Sequence, residues 1–305
     1  VLVRSASNNS VRAGPHDLRN LIDVAVRRRQ GILKDMLQAV LQPQGPVLVG
    51  AAEPSAKSVK PPFDQAKYAE RYRGFRIATL SPVEPELLVR PMALRGAAES
   101  AALYSHSGRQ RFPPTRFAGA VETRLPVGIA FEQEYQYQPR LSFAFFGIHG
   151  EVFCADSLWE DAELGVQGVG KIGLFSTTEM VFEAVIFARR YYEALGYQGK
   201  TLVRYSQESS VPRVLEMDST NHWPLVERYW NDLATPVTVE RTFRTDADLA
   251  GLEETAKEIM TEFFWYFHFD LDQDGAARYL EHVKKNRFRI PKDLLSEPDN
   301  PGEHS

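Results

Sequence analysis

The chain has 305 residues, 43% hydrophobic and 25% charged, with a formal net charge of −4. That balance supports a folded core of one or two domains and excludes a wholly disordered chain. No apolar run reaches the roughly 18 residues of a membrane span, and the one cysteine, Cys154, excludes an internal disulfide framework and a cysteine-rich zinc module.

In chain order, residues 1–6 read as a strand. Because Val1-Leu2-Val3 already lies inside that element, the chain reads first as a fragment whose upstream part is missing, with a processed chain as the alternative. Ser7–Gly14 is a polar turn. Pro15 sits where a helix can begin without losing a needed donor. The helix runs from about His16 to Leu41, with Leu18, Leu21, Ile22, Ala25, Ile32, Met36 and Val40 on one face. Pro43 ends it. The proline-rich stretch 43–62 is read as a linker and the best domain boundary. Residues 1–31 hold Arg4, Arg12, Arg19, Arg27, Arg28 and Arg29 against Asp17 and Asp23, a balance of +4, so the remainder carries −8. A cationic head on an acidic body directs anion contact to the head.

Residues 63–295 are read as an α+β domain, with a mixed or antiparallel sheet and flanking helices. The expected elements are a short helix over 64–72, a strand over 75–80, a helix over 94–104 and a loop over 105–115. Strands follow over 129–137, 141–146 and 151–155. Gly147-Ile148-His149-Gly150 is a hairpin turn. With His149-Gly150 at its centre, Phe145 faces Cys154, and Phe146 and Phe153 fall on the other side. Both faces are then apolar, so the pair is buried. Ser176-Thr177-Thr178-Glu179 reads as a capping box opening a helix that closes at Gly196. Strands over 201–205 and 236–242 and helices over 249–267 and 276–285 complete the domain. Residues 296–305 form a polar, frayed tail.

The opening segment VLVRSASNNSVRAGPHDLRNLI resembles the closing part of the Alba-like Schlafen domain family. The elements that carry the likeness are Val3, Arg4, Ser5, Ser7, Pro15, Asp17 and Leu21; Ala6 stands where that family usually has glycine. The resemblance implies a nucleic-acid-binding domain, some relatives of which cleave RNA through grouped carboxylates. The carboxylate-bearing part would lie upstream of Val1, so no catalytic residue carries over. Arg4 alone maps, as a phosphate contact or a packing residue at the turn. The stretch from Phe182 to Val203 resembles the regions that follow this domain in bacterial proteins.

Arg27, Arg28 and Arg29 could track phosphates along a helix, each contact adding salt dependence; a solvated helix face with arginine stems covering apolar surface is the plainer reading. Arg4 and these three are the candidate nucleic-acid contacts. Asp270 to Glu281 matches calcium-loop spacing, but Ala277 and Arg278 occupy positions that such a loop fills differently. An acidic turn capping the last helix is the plainer reading. GVQGVGK over 165–171 matches seven positions of a phosphate-binding loop, with Ile172 where Ser or Thr should hold magnesium. Cys154 reads as a buried inert thiol. The scattered histidines form no zinc pair. The aromatic run 263–267 reads as a buried helix rather than a base-stacking platform. Glu132, Glu134, Glu151, Asp156, Glu160 and Asp161 crowd the β-rich zone, and catalysis by them requires two to converge in one pocket.

The leading expectation is a non-catalytic, cytoplasmic binding or sensing region of a Schlafen-like protein. It needs no cofactor or metal and no membrane, and it contacts nucleic acid through its N-terminal arginines. The alternatives are a hydrolase with a carboxylate-based site in the α+β body, and a homo-oligomerisation module.

Overall fold

The structure, a computed structural model, describes residues 2–4, 10–12, 61–68, 71–84, 87–135, 140–158, 160, 169–218, 225, 229–231 and 236–295. Two compact units are present, 1–53 and 54–305.

In the first unit, β1 (Leu2–Arg4) pairs antiparallel with β2 (Ser10–Arg12), Val3 lying opposite Val11. Part of the stretch expected as a turn is therefore a returning strand, with a β-branched residue at its centre. The expected helix over 16–41, the charge cluster at 27–29 and the expected linker up to residue 60 lie outside the described residues.

The second unit is α+β. Its chain order opens with α1 (Gln65–Tyr68), β3 (Gly74–Glu84), α2 (Pro91–Ala101), β4 (Leu103–Tyr104) and β5 (Gln110–Phe112). Next come β6 (Val121–Leu125), β7 (Gly128–Tyr135), β8 (Arg140–Gly147), β9 (Val152–Ser157) and β10 (Gly170–Gly173). The helix α3 (Leu174–Ala194) is followed by β11 (Lys200–Ser209), β12 (Arg213–Glu216), β13 (Tyr229–Asn231) and β14 (Val237–Arg244). The helices α4 (Leu249–Trp265) and α5 (Gln273–Asn286) close the unit. Seven strands form one sheet in the order β14-β11-β3-β9-β8-β7-β6, every neighbour antiparallel. The strands β10, β12 and β13 make a smaller sheet beside the start of α3.

Both faces of the large sheet are covered, as the apolar character of β8 and β9 on both sides requires. The four longer helices pack on one face over Leu80, Phe146, Val152 and Val203. On the other face, Tyr68 and Tyr72 pack against Phe75, Phe143 and Phe145. The hairpin register is one residue away from the expected one. Phe145 lies opposite Phe153, and Ala144 opposite Cys154. Because side chains alternate along a strand, that single step puts Phe145 on the face of Phe153 and Phe146 on the face of Cys154, the reverse of the expected sharing. The cause is the turn. Gly147 N–H donates to the Glu151 carbonyl at 2.7 Å and Gly150 N–H to the Gly147 carbonyl at 3.0 Å, with Gly150 at φ +82°.

The start of α3 is also a correction. It begins at Leu174 behind Gly173, so Ser176-Thr177-Thr178-Glu179 lies inside the helix and caps nothing. The exit is as expected: Gly196 has φ +70°, and its N–H and that of Tyr197 donate back to the Glu193 and Tyr192 carbonyls. Phe263, Phe264 and Phe267 of the aromatic run are fully buried, in keeping with a core helix. Among the described residues no helix is long and apolar enough to cross a membrane.

Candidate functional site

The helix-facing side of the central strands has three rows. Two are largely apolar: Val203, Leu80, Val152, Phe146 and Ile129 lie side by side, as do Tyr205, Ala78, Cys154, Ala144 and Phe131. The third row, two residues further along each strand, is Gln207, Arg76, Asp156, Ser142 and Gln133. The two-residue side-chain period aims this polar row into the same layer as the core. Beyond it stands the pair Arg140 and Tyr135.

Over the polar row lies one stripe of α3. Ser176, Glu179, Met180 and Glu183 are spaced by three and four residues and share a helix face. Sheet, helix and the loop around β5 enclose a cavity of about 220 Å³. Six arginines line it: Arg76, Arg109, Arg111, Arg116, Arg140 and Arg287.

Four of them have carboxylate partners. Arg140 grips Asp156 with two hydrogen bonds of 3.0 and 2.7 Å, and Ser142 Oγ donates to the same carboxylate at 2.7 Å. Arg76, only 2% exposed, pairs with the equally buried Glu160. Burial opposes the charge on Arg76, but Glu160 outweighs it and holds the guanidinium ionised. Arg111 bonds Glu179 and reaches Glu183 at 3.4 Å. Arg287 donates to the Asp218 carbonyl at 2.6 Å and lies 3.4 Å from its carboxylate.

Arg109 and Arg116 have no carboxylate and no side-chain hydrogen-bond partner among the described residues. Arg116 sits 5.8 Å from the Tyr135 ring centroid, and Arg140 sits 5.3 Å from the same centroid. Burial and then the charge of Arg116 lower the pKa of Arg109. Like charges are thus held together without compensation, the electrostatic condition of an anion site.

The two glutamates of α3 have the opposite character. Burial, reinforced by the neighbouring Glu179, pushes the Glu183 carboxyl up to about 8, so it is mostly neutral at neutral pH. Burial raises Glu179 as well, against the pull of Arg111, and its Oε1 has no hydrogen-bond partner among the described residues. A neutral buried carboxyl can donate a hydrogen bond to a bound oxygen.

Most sequence-derived candidates fall elsewhere. Arg4 lies on β1 opposite Ser10, in the other unit; Arg27, Arg28, Arg29 and Asp161 lie outside the described residues. Asp156 and Glu160 reach the cavity or its wall. Glu132 and Glu134 point to the other face and meet Lys67 and Arg71. The calcium reading is overturned. Residues 273–281 are helical, Asp272 Oδ1 caps α5 by accepting from Gly275 N–H at 2.7 Å, and Glu281 pairs with Lys284. The described residues contain no acid, histidine and cysteine cluster able to hold a metal. Nor does the start of α3 cradle phosphate. Asp218 accepts from the Phe175 and Ser176 amides at 2.6 and 2.9 Å, Glu160 accepts from Gly173, and Lys171 pairs with Glu216. Cys154 is buried, and burial pushes its thiol up, leaving it unreactive.

The residues that sequence reasoning missed are Glu179, Glu183 and the arginines. One signal was present: two glutamates four apart in an otherwise apolar helix, with charges at core-facing parity on β3, β8 and β9. No protein-family model, no curated protein and no solved structure matches this chain.

Proposed function

We propose that the second unit, 54–305, is a non-catalytic binding or sensing module for a small anion, carried by a Schlafen-like nucleic-acid-associated protein. The observation that carries this reading is the pair Arg109 and Arg116, without a carboxylate partner among the described residues, beside four arginines that have one. A cavity of about 220 Å³ has room for about seven waters and is below the usual range for drug-sized ligands. The ligand is therefore a small molecule or an end group rather than a polymer segment. Isothermal titration with inorganic phosphate, sulfate and acetate at low salt tests it. Saturable binding that disappears in Arg109→Ala/Arg116→Ala is the expected result; no heat from any anion rejects it.

The nucleic-acid part of the proposal rests on the likeness of residues 1–22 to the Schlafen family and on Arg4, Arg27, Arg28 and Arg29. RNA and DNA binding should weaken with salt and fall further when these four are replaced by Ala.

A second reading, a carboxylate-based hydrolase, is favoured by one observation, the buried Glu179–Glu183 pair with its raised pKa values. Here Glu183 would supply the proton and Glu179 the base. Turnover of a chromogenic phosphomonoester that is lost in Glu183→Gln would establish catalysis; binding without turnover supports the sensing role.

A further inference from the structure

Charge matching inside the cavity narrows the ligand, provided that the anion-receptor reading holds. Arg76, Arg111, Arg140 and Arg287 are each bonded to a carboxylate. Their charges are balanced within the protein. Arg109 and Arg116 are not balanced among the described residues, and both open on the same space. A monoanion would leave one of these guanidinium groups uncompensated; a dianion matches both. Arginine also presents two parallel N–H donors to an oxyanion, and the three oxygens of a terminal phosphate let two arginines bind from different directions, where a planar carboxylate offers only two oxygens.

The remaining walls agree. Pro114 and Met180 line the cavity beside the arginines, giving a short apolar wall for an organic substituent. The Glu183 carboxyl, mostly protonated, adds a donor without adding a negative charge. The cavity of about 220 Å³ has room for a phosphate with one small organic substituent.

We infer that the ligand of this cavity is a small phosphomonoester dianion, its terminal phosphate held by Arg109 and Arg116 and its organic part laid against Pro114 and Met180. The same phosphate could arrive free or esterified, and the titration separates these sources.

The test is isothermal titration of the full chain with ribose 5-phosphate, inorganic phosphate and dimethyl phosphate at about pH 7. Ribose 5-phosphate should bind best, inorganic phosphate more weakly, and dimethyl phosphate, a monoanion, at least tenfold more weakly than ribose 5-phosphate. Each of Arg109→Ala and Arg116→Ala should weaken ribose 5-phosphate by roughly tenfold or more, the loss of a charge-assisted hydrogen bond. Among the described residues neither arginine side chain makes a hydrogen bond or ion pair, and Arg116 has only its ring contact with Tyr135, so the thermal melts of both variants should stay close to that of the parent. Equal affinity for the diester and the monoester would overturn the dianion inference while leaving an anion receptor standing. Tighter binding of free phosphate than of the ester would overturn the assignment of an organic part. Silence from all three anions would remove the receptor reading and this inference together.

Discussion

The apolar and polar ends of the helix-facing sheet surface belong to the same five strands, yet they are held by different physics. At the apolar end, Leu80, Val152, Phe146 and their neighbours are buried without charge and contribute through the area they remove from water. At the polar end, Arg76, Asp156 and Glu160 are buried to a similar degree but must first lose their hydration. Burying ion pairs is often no better for stability than burying apolar residues of the same volume. A fold needs the first surface; the second costs stability unless it has another use. The contrast supports the proposal that the polar end is the functional part of the sheet.

The sharpest way to break that contrast is to damage each end and ask what is lost. Phe146 is fully buried, with Phe131, Phe187 and Tyr191 around its ring. Phe146→Ala should cost about 3–5 kcal/mol of unfolding free energy in urea titration. Anion affinity per folded molecule should not change. A variant that kept its stability but lost affinity would reverse the roles of the two ends.

At the polar end, Asp156→Ala strands Arg140 and removes the acceptor of Ser142. Removing one member of a buried pair typically costs 3–5 kcal/mol, and Arg140 retains some access to solvent, so about 3 kcal/mol is expected. Anion binding should strengthen in this variant, because a third guanidinium loses its carboxylate. Unchanged affinity would show that Arg140 plays no part in the field of the cavity.

The next effect is smaller per pH unit and accumulates with pH. Glu183 titrates near 8 in the folded protein and about 4.3 when unfolded. The folded state therefore binds more protons across that window, and stability falls as pH rises through it, by at most ~1.4 kcal/mol per pH unit. Above the folded value the loss is complete. The groups that act on this carboxyl are Glu179 on its own helix, Arg111 on β5 and Arg140 on β8. Glu179 is shifted in the same direction and adds to the slope. In Glu183→Gln the dependence between about pH 5 and 8 should flatten, and stability at the upper end should rise. Stability profiles that coincide with the parent would place the proton elsewhere.

How much of this was legible follows the same division. Local signals identified the elements. The α+β class, the buried hairpin, the Gly196 helix exit and the buried aromatic run are all visible from alternation, turn residues and helical spacing. Short strands such as β5, β10 and β12 were missed, because three or four residues carry too little periodicity. The site was missed for a different reason. Arg76, Arg111, Arg140 and Arg287 are separated by long stretches of chain; register aligns Arg76 and Arg140 in the large sheet, and tertiary packing brings up Arg111 and Arg287. Glu179 was assigned to a cap because its local pattern, S-T-T-E, satisfies that motif. What displaced that assignment is tertiary: Asp218, forty-two residues beyond Ser176, already occupies the amides at the start of the helix.

The smallest effect concerns a region where local pattern alone suggested chemistry. The Asp270–Glu281 stretch has calcium-loop spacing, yet a calcium loop must remain non-helical long enough to wrap its ion. Here α5 begins at Gln273, and Asp272 uses its Oδ1 on the Gly275 amide. That side chain is an N-cap, so Asp272→Ala should cost about 1 kcal/mol. The melting temperature of the parent should not move when calcium is added, because binding to the folded state alone would raise it. The loss on replacing Asp272 should be equal with and without the ion. A calcium-dependent rise in the parent that vanished in the variant would restore the motif and require the first helical turn of α5 to unwind. The polar end of the sheet would then no longer be the sole binding region proposed for this unit.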